Sequence, residues 1–319
     1  MAMQDLEIPN PGPRELLIRV SACGVCRTDL HIVEGELDLP KLPLTPGHQI
    51  VGRVEKTGTG VSHFHAGDRV GISWISWTCG DCAYCRSDRE NLCDTGKYTG
   101  YHVDGGYAEY ALAHEAYAFP LPAAFSDIDA APLLCAGVIG HRALRLSGIA
   151  PGQTLGLFGF GASAHIVIQL AQRRGCTVAV FTRSQGHRDL AEELGASWAG
   201  PPDQASPPSI DAGIIFAPAG ELVPLAMRLL NKGGTLALAG IHMSRIPAME
   251  YSLLYEERTL RSVANSTRRD VIELLNEAAA IPVRTQVHPF LLQDANEALV
   301  RLKQSDIRGS GVIVVDGSR

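Results

Sequence analysis

The sequence predicts an α/β protein of two domains, one mostly β and the other a doubly wound parallel sheet. Its 319 residues suffice for two domains at a typical ~150 residues each. The first 135 residues are rich in Gly, Pro and short β-branched runs, which favours an irregular β domain. From about Asp127 short apolar runs alternate with helical segments, the pattern of βαβ units on a parallel sheet.

The predicted elements follow from apolar periodicity and from the Gly and Pro residues between them. In the β-rich part we expect strands at residues 16–20, 50–54 and 69–72. In the α/β part the predicted strands are 154–158, 177–181, 210–216 and 235–241. The first predicted helix there ends at residue 174, and two more cover 187–194 and 222–230. A helix at 295–302 and a strand at 311–315 end the chain.

Composition and charge exclude several functional classes. The net charge of -6 is mild and no block of like charges occurs, so neither nucleic acid nor an anionic membrane is an expected partner. There is no run of about 18 apolar residues and no charged-then-apolar leader. These features predict a cytoplasmic protein without a nucleic-acid or membrane partner.

Four cysteines form the most specific motif in the chain. Cys79, Cys82, Cys85 and Cys93 have the spacing C-x2-C-x2-C-x7-C. Four thiolates this close can surround one tetrahedral zinc and leave no position for a substrate, which predicts a structural zinc. Iron–sulfur runs begin with the same spacing but bring the fourth Cys after three residues, followed by Pro. Such a cluster and free thiols remain the alternatives.

A second, open metal site requires residues that are far apart in sequence. Two thiolates and an imidazole leave a fourth coordination position free, as in a catalytic zinc site, and Cys26, His48 and Cys135 could form such a set. No spacing rule assembles these three residues, and three separate buried side chains are the alternative interpretation.

A glycine-rich turn predicts a dinucleotide-binding site. Residues 159–164 (GFGASA) follow a predicted strand and begin a predicted helix, as a dinucleotide-binding motif requires. The glycines allow a tight turn and close approach to the pyrophosphate, which would bind the helix N-terminus. The contacting residues are expected to be Gly159, Gly161, Ala162 and Ser163.

Several motifs in the same order resemble those of zinc-containing medium-chain alcohol dehydrogenases. They are the four-cysteine motif and residues 26–31 (CRTDLH), 46–48 (PGH), 105–109 (GGYAE) and 135–138 (CAGV). The resemblance covers essentially the whole chain. It implies a GroES-like catalytic zinc-binding domain at residues 1–135 and 284–319, and a Rossmann domain at 136–283. It also implies a homo-oligomer, a dimer or tetramer.

The same resemblance implies a mechanism. Cys26, His48 and Cys135 would bind the catalytic zinc, and Asp29 would orient the His48 ring. Zinc would stabilise the alkoxide of a primary or secondary alcohol, which passes hydride to NAD(P). Thr28 would relay the hydroxyl proton to His31, because an imidazole is the kind of side chain whose ordinary pKa lies closest to neutrality. One departure is Gln49, since the family usually has Glu after the ligand histidine.

The resemblance also implies the remaining binding residues. NAD enzymes usually carry an acidic residue after the second strand. Residues 180–184 (VFTRS) instead resemble the pattern of NADP-preferring relatives, which favours NADP over NAD, although Arg183 could stack on adenine in an NAD enzyme. Trp74 matches a substrate-pocket aromatic, and core packing is the equal alternative. The predicted cofactor contacts outside the glycine-rich turn are Thr182, Arg183, Ser184, Gly240, Ile241, Arg27 and Arg308.

Two other functional classes remain as hypotheses. A zinc-free quinone-type reductase would share the fold but would not need Cys26, His48 and Cys135 together. A catalytically inactive nucleotide-binding protein would bind metal and cofactor without turnover, and Gln49 is in its favour.

Overall fold

The computed structural model describes residues 1–204, 207–281 and 283–315. The chain divides into two compact units. The first unit comprises Met1–Val138, Asn265–Ala280 and Arg284–Arg319, and the second comprises Ile139–Ala264 and Ile281–Val283. The segment 265–280 therefore packs with the first unit, whereas the sequence-based boundaries place it in the dinucleotide-binding domain.

A seven-stranded mixed sheet forms the first unit. Its path is β14-β15-β1-β2-β3-β7, with β6 also paired to β1. The last strand of the chain thus pairs antiparallel with the first, so both ends of the sequence build this sheet. The strands are β1 Glu15–Val25, β2 Gln49–Thr57, β3 Arg69–Ile72, β6 Tyr110–His114, β7 Ala118–Pro120, β14 Val287–Leu291 and β15 Ser310–Val314.

Strand β1 positions the metal-site region because it has three neighbours. Its first half pairs with β6, its second half pairs with β15, and β2 pairs along its length. A register shift between Val20 and Ala22 marks a bulge, after which four successive residues, Ala22 to Val25, are buried. Buried pairing on both sides fixes the backbone that leads into Cys26.

The remaining elements of the first unit are short. Its helices are α1 Arg27–Val33, α2 Asp127–Ala130, α7 Arg268–Ala280 and α8 Ala295–Lys303, and α3 Ala136–Leu146 begins in it. Strands β4 Ile75–Trp77 and β5 Lys97–Tyr98 pair as a separate two-stranded sheet beside the four cysteines.

The second unit is built on a six-stranded, fully parallel sheet, which confirms the predicted α/β class with a doubly wound sheet. The order is β10-β9-β8-β11-β12-β13, so the strand order reverses beside β8. Ligands of such sheets bind at the carboxyl ends of the strands near this reversal. The strands are β8 Thr154–Phe158, β9 Thr177–Phe181, β10 Trp198–Gly200, β11 Ile210–Ile215, β12 Leu230–Leu238 and β13 Thr259–Ser262. The helices are α4 Ala164–Arg173, α5 Gln185–Glu193 and α6 Leu222–Leu229.

The interior of this sheet is apolar. Phe158 and Phe181 stack with their ring centroids 4.4 Å apart, and both are fully buried. Burying two such side chains contributes several kcal/mol of hydrophobic stabilisation. Among the described residues, no helix is long and apolar enough to cross a membrane.

Candidate active site

Three residues that are distant in sequence converge in the first unit. One sulfur or nitrogen atom each of Cys26, His48 and Cys135 lies within 4.8 Å of the other two. Cys26 lies between the end of β1 and the start of α1, and His48 directly precedes β2. Cys135 lies immediately before α3. The convergence makes three separate, unrelated positions the weaker interpretation.

The imidazole of His48 has a defined orientation. Its Nδ1 lies 2.9 Å from Asp29 Oδ1, and its Nε2 lies 3.3 Å from Cys135 Sγ. Because Asp29 occupies Nδ1, Nε2 is the nitrogen that can coordinate a metal. A zinc tetrahedron with bonds near 2.0 and 2.3 Å places its N and S ligands roughly 3.5 Å apart, so this spacing fits zinc.

The carboxylate of Asp29 is held by three groups and is fully buried. Besides His48, the backbone N–H of Cys26 donates to Oδ2 at 2.8 Å, and the Tyr107 hydroxyl donates to Oδ2 at 3.2 Å. Sequence reasoning missed Tyr107, although the motif at 105–109 contains it. Gly47, with a φ of +96°, makes room for this ring, because an added Cβ would lie 2.4 Å from Tyr107.

The side chains of this cluster shift one another's protonation. A hydrogen bond between the two thiols lowers the pKa of Cys26 well below its usual value and raises that of Cys135. Burial lowers the pKa of His48, but the charge and hydrogen bond of Asp29, helped by Cys26, outweigh it and raise that pKa to about 10. Without a metal, these shifts favour a Cys26 thiolate beside a protonated His48 and a neutral Cys135 thiol, so a divalent metal that binds here displaces protons from the imidazole and from the second thiol.

The two predicted relay residues both lie on α1. Thr28 Oγ1 is 3.7 Å from Cys26 Sγ, and both Thr28 and His31 are buried. The ring of His31 pairs with the carboxylate of Glu36, whose side chain is about half exposed. His31 is therefore a buried residue of a helix. Glu36 is a neighbour that the sequence did not identify.

Gln49, the departure from the family pattern, points away from any open surface. Its side chain is buried, and its amide packs against the backbone of Gly24 so closely that an added Cβ there would lie 2.8 Å from the amide carbon. The structure therefore gives Gln49 a packing role beside strand β1.

The four cysteines of the predicted structural site also converge. One sulfur atom from each lies within 4.8 Å of the others, and all four are free thiols. The Sγ of Cys79 is 3.8 Å from that of Cys85 and 3.6 Å from that of Cys93. A tetrahedral site with Zn–S bonds near 2.3 Å has S···S edges of about 3.8 Å. These distances fit zinc and are too long for a disulfide.

Backbone groups in this loop donate to sulfur. The N–H of Cys82 points to Cys79 Sγ and the N–H of Cys85 to Cys82 Sγ, each at 3.4 Å. Such bonds from its backbone neighbours lower the pKa of Cys79. For Cys93, burial raises the pKa, but hydrogen bonds from Cys79 and Thr95 outweigh it and lower that pKa to about 6. The thiolate form is thus favoured at Cys79 and Cys93 before any metal binds, whereas burial raises the pKa of Cys85 to about 11.

We expect Cys82→Ala to remove one zinc per chain and to lower the melting temperature by about 6 °C or more. The reason is that metal binding stabilises a loop with little core of its own, and losing ~3 kcal/mol shifts Tm by ~2–4 °C per kcal/mol in a chain of this size. Elemental analysis and thermal unfolding are the measurements. Cys176→Ala, a buried cysteine of the second unit, is the matched control. An unchanged zinc content in Cys82→Ala would contradict the four-sulfur site.

The glycine-rich turn has the geometry that a dinucleotide phosphate needs. Gly159 has a φ of +86°, and its N–H donates to Phe181 O at 2.8 Å. An added Cβ at Gly161 would meet no atom within 4 Å, so open space lies in front of the turn. Ala162 and Ser163 lead directly into α4. The turn lies at the carboxyl end of β8, beside the reversal of strand order.

The segment after β9 carries the predicted cofactor-selecting residues. Thr182 is buried, Arg183 is exposed, and the Ser184 hydroxyl caps α5 by accepting from the His187 N–H at 3.4 Å. Arg188 Nη1 donates to the carbonyls of Thr182 and Arg183 at 3.0 and 2.7 Å, so it fixes the backbone of this segment. The sequence reasoning did not identify Arg188.

The other predicted cofactor contacts lie on exposed or half-buried backbone. Gly240 and Ile241 follow β12 in the second unit, and Ile241 is 52% exposed. Arg27 begins α1 and Arg308 is exposed, both in the first unit. The contacts of these four residues with the cofactor stay predictions.

Trp74 lies directly against the candidate metal cluster. Its ring packs edge-to-face with the His48 ring at a centroid distance of 4.8 Å and stacks on Tyr98 at 5.0 Å. The indole N–H donates to Asn265 Oδ1 at 3.1 Å. Trp74 is therefore both a packed residue and a wall beside His48.

Comparison with known proteins agrees with this geometry. Residues 12–123 match the family model described as the alcohol dehydrogenase GroES-like domain, and residues 164–280 match the model for a zinc-binding dehydrogenase. The probable alcohol dehydrogenase AdhA of Mycobacterium tuberculosis is 45% identical over 314 residues, covering 97% of this chain and 91% of that protein.

Solved structures show the same fold. A cinnamyl alcohol dehydrogenase from Sorghum bicolor superimposes with a TM-score of 0.91 at 28% identity, covering 98% of this chain and 94% of the other. The acetophenone reductase of Geotrichum candidum, solved in complex with NAD, gives a TM-score of 0.90 at 25% identity, with coverage of 98% and 92%.

Proposed function

Because this chain belongs to the family of zinc-binding medium-chain alcohol dehydrogenases, which interconvert alcohols and carbonyl compounds with NAD(P), we propose that Cys26, His48 and Cys135 hold its catalytic zinc. The observation that carries this proposal is the convergence of their ligand atoms within 4.8 Å. The set offers two thiolates and one imidazole, so a fourth position is left for a substrate oxygen. We further propose that the four-cysteine site holds a second, structural zinc.

The bound zinc supplies a Lewis acid that lowers the pKa of a substrate hydroxyl, as it does for water, and polarises a carbonyl in the reverse direction. Asp29 keeps His48 in the tautomer with a free Nε2. Thr28 takes up the substrate hydroxyl proton while passing its own proton towards His31. A hydroxyl cannot be the final base near pH 7, but an imidazole can. The pairing of His31 with the partly exposed Glu36 supports a route to solvent.

The substrate is a primary or secondary alcohol, or the matching aldehyde or ketone. We place Trp74 at one wall of its pocket, a role supported by the contact between the indole and His48. For the protein as a whole we propose a homo-oligomer. The support is that β13 lies at the edge of the six-stranded sheet and exposes most of its residues, which is a surface available for pairing.

We propose NADP as the preferred cofactor. The exposed Arg183 and the hydroxyl of Ser184 follow β9 where an acidic residue would select NAD, and Arg188 holds this segment in place. We expect Arg183→Ala to lower the kcat/KM ratio for NADPH over NADH by about tenfold, because a charge-assisted bond is worth ~1.5–3 kcal/mol. Steady-state kinetics with both cofactors measures this. Arg173→Ala, an exposed arginine at the end of α4, should leave the ratio unchanged. An unchanged ratio in Arg183→Ala would contradict the assignment.

Cobalt(II) substitution tests the proposed open site. We expect a spectrum with two components, of which one changes when an alcohol or a competing anion is added because its fourth position is open. The four-thiolate component should not respond, since it has no exchangeable ligand. A spectrum in which neither component responds to added ligand would contradict the proposal.

A further inference from the structure

The side chain of Asn265 is hydrogen-bonded to three groups near the candidate metal sites: the Trp74 indole, the Asn91 backbone and the Tyr98 hydroxyl. Its Oδ1 accepts the indole N–H of Trp74 at 3.1 Å. Its Nδ2 donates to the backbone carbonyl of Asn91 at 3.2 Å and to the Tyr98 hydroxyl at 3.1 Å. An amide has one acceptor and two donor hydrogens, so these contacts use both ends of the group.

Two of these partners belong to the four-cysteine loop or follow it directly. Asn91 lies two residues before Cys93, and Tyr98 belongs to β5, which pairs with β4. The third partner, Trp74, directly precedes β4, and its carbonyl accepts the Thr99 N–H at 2.8 Å. The loop, the small β4–β5 sheet and the indole therefore form one hydrogen-bonded assembly.

The Trp74 indole connects this assembly with the candidate catalytic site by packing against His48. The Trp74 ring packs edge-to-face with the His48 ring, and the Tyr98 ring stacks on its flat face. His48 is hydrogen-bonded to Asp29 through Nδ1 and lies against Cys135 through Nε2, and the rings packed on the imidazole limit its remaining freedom to rotate. Trp74 is such a neighbour, and Asn265 anchors its indole N–H.

The backbone of Asn265 supports a dedicated role. Its φ is +52°, in the left-handed region, which asparagine tolerates better than most residues but still at a cost. Glycine adopts this conformation freely. The three hydrogen bonds of the asparagine side chain therefore offset the conformational cost of its left-handed backbone.

We infer that Asn265 is a positioning residue that couples the four-cysteine loop to His48 through Trp74. The inference rests on the proposed function, because it takes Cys26, His48 and Cys135 as the catalytic zinc site. It predicts that the loop around the structural zinc also restrains the geometry of the catalytic one. Energetic coupling of this kind is carried by a contiguous chain of packed and hydrogen-bonded groups.

The test is Asn265→Gly, which removes all three hydrogen bonds and leaves the backbone free to keep its conformation. Zinc release from the purified enzyme to a chromogenic chelator is followed in time, together with kcat and KM. We expect zinc release from the catalytic site to become about tenfold faster and kcat to fall about tenfold, since partners that support metal ligands typically have effects of that size. The control is Arg69→Gln, because Arg69 also donates three side-chain hydrogen bonds in the first unit.

A double-mutant cycle with Trp74→Phe shows whether Asn265 acts through the indole. Phenylalanine keeps an aromatic ring but removes the N–H that Asn265 accepts. We expect the effect of Asn265→Gly on zinc release to be smaller in this background than in the wild type, because residues that act through one contact are not additive. Additive effects, or release from Asn265→Gly no faster than from Arg69→Gln, would overturn the inference while leaving the metal sites in place. A wild-type enzyme with zinc only at the four cysteines would overturn the proposed function, and with it this inference.

Discussion

Cys135→Ala is expected to lower kcat/KM by about 10³-fold or more and to remove one zinc per chain. Stabilisation of the reacting oxygen by a metal is worth several kcal/mol, and each 1.36 kcal/mol is tenfold in rate. Cys135 Sγ lies 3.3 Å from His48 Nε2, so its loss leaves only two protein ligands. Elemental analysis and aldehyde-reduction kinetics on the same preparation are the measurements.

Two controls make this result specific. Cys176→Ala should keep both zincs and near-normal activity, because Cys176 lies in the second unit. Cys82→Ala should lose the other zinc, at the four-cysteine site. If Cys135→Ala retained full metal and turnover, the catalytic assignment of the three-residue cluster would be wrong.

Thr28→Val is expected to lower kcat by about 10²-fold or more while both zincs stay bound. Proton transfer by a positioned side chain typically contributes 10²–10⁴-fold, and valine keeps the shape of threonine without its hydroxyl. Thr28 is buried on α1 and its Oγ1 lies 3.7 Å from Cys26 Sγ, so little of its surface is open for a water to take the place of the hydroxyl. The measurement is kcat for alcohol oxidation across a range of pH.

The matched variant for this prediction is Thr28→Ser, which restores the hydroxyl and should recover most of the lost rate. A loss of zinc in Thr28→Val would indicate a structural effect and would count against the relay. Wild-type kcat in Thr28→Val would remove Thr28 from the mechanism and leave another group to take the proton.

Sequence periodicity predicted the central strands of the second unit well. The bounds of β8 and β9 agree with the prediction because both are buried apolar runs bounded by polar residues or glycine. Strands β10 and β13 were missed, since they are three and four residues long and only partly buried. Strand β12 begins at Leu230, earlier than predicted, because Leu230 pairs with Ile210 across a register shift in the sheet.

The two candidate metal sites differ in how far the sequence could predict them. The four cysteines were predicted from spacing alone, because all lie between residues 79 and 93 and one loop can bring them together. His48 and Cys135 are 87 positions apart, so only the order of motifs in a known family suggested that they meet. Their convergence depends on β1, whose neighbours come from both ends of the chain.

Supporting residues were the least predictable part of the site. Asn265 lies 191 positions from Trp74, and Tyr107 lies 78 positions from Asp29. Each acts through one or a few hydrogen bonds, which leave no periodic or spacing signal in the sequence. Such contacts become visible only when the packing of the first unit is known.

The most direct test of the account is the zinc content of the purified protein, measured on the preparation that is assayed for NADPH- and NADH-dependent reduction of a panel of aldehydes. The account predicts two zincs per chain and turnover that a chelator abolishes. One zinc per chain without turnover would contradict it, because only the four-cysteine site would then hold metal and Cys26, His48 and Cys135 would have no catalytic role.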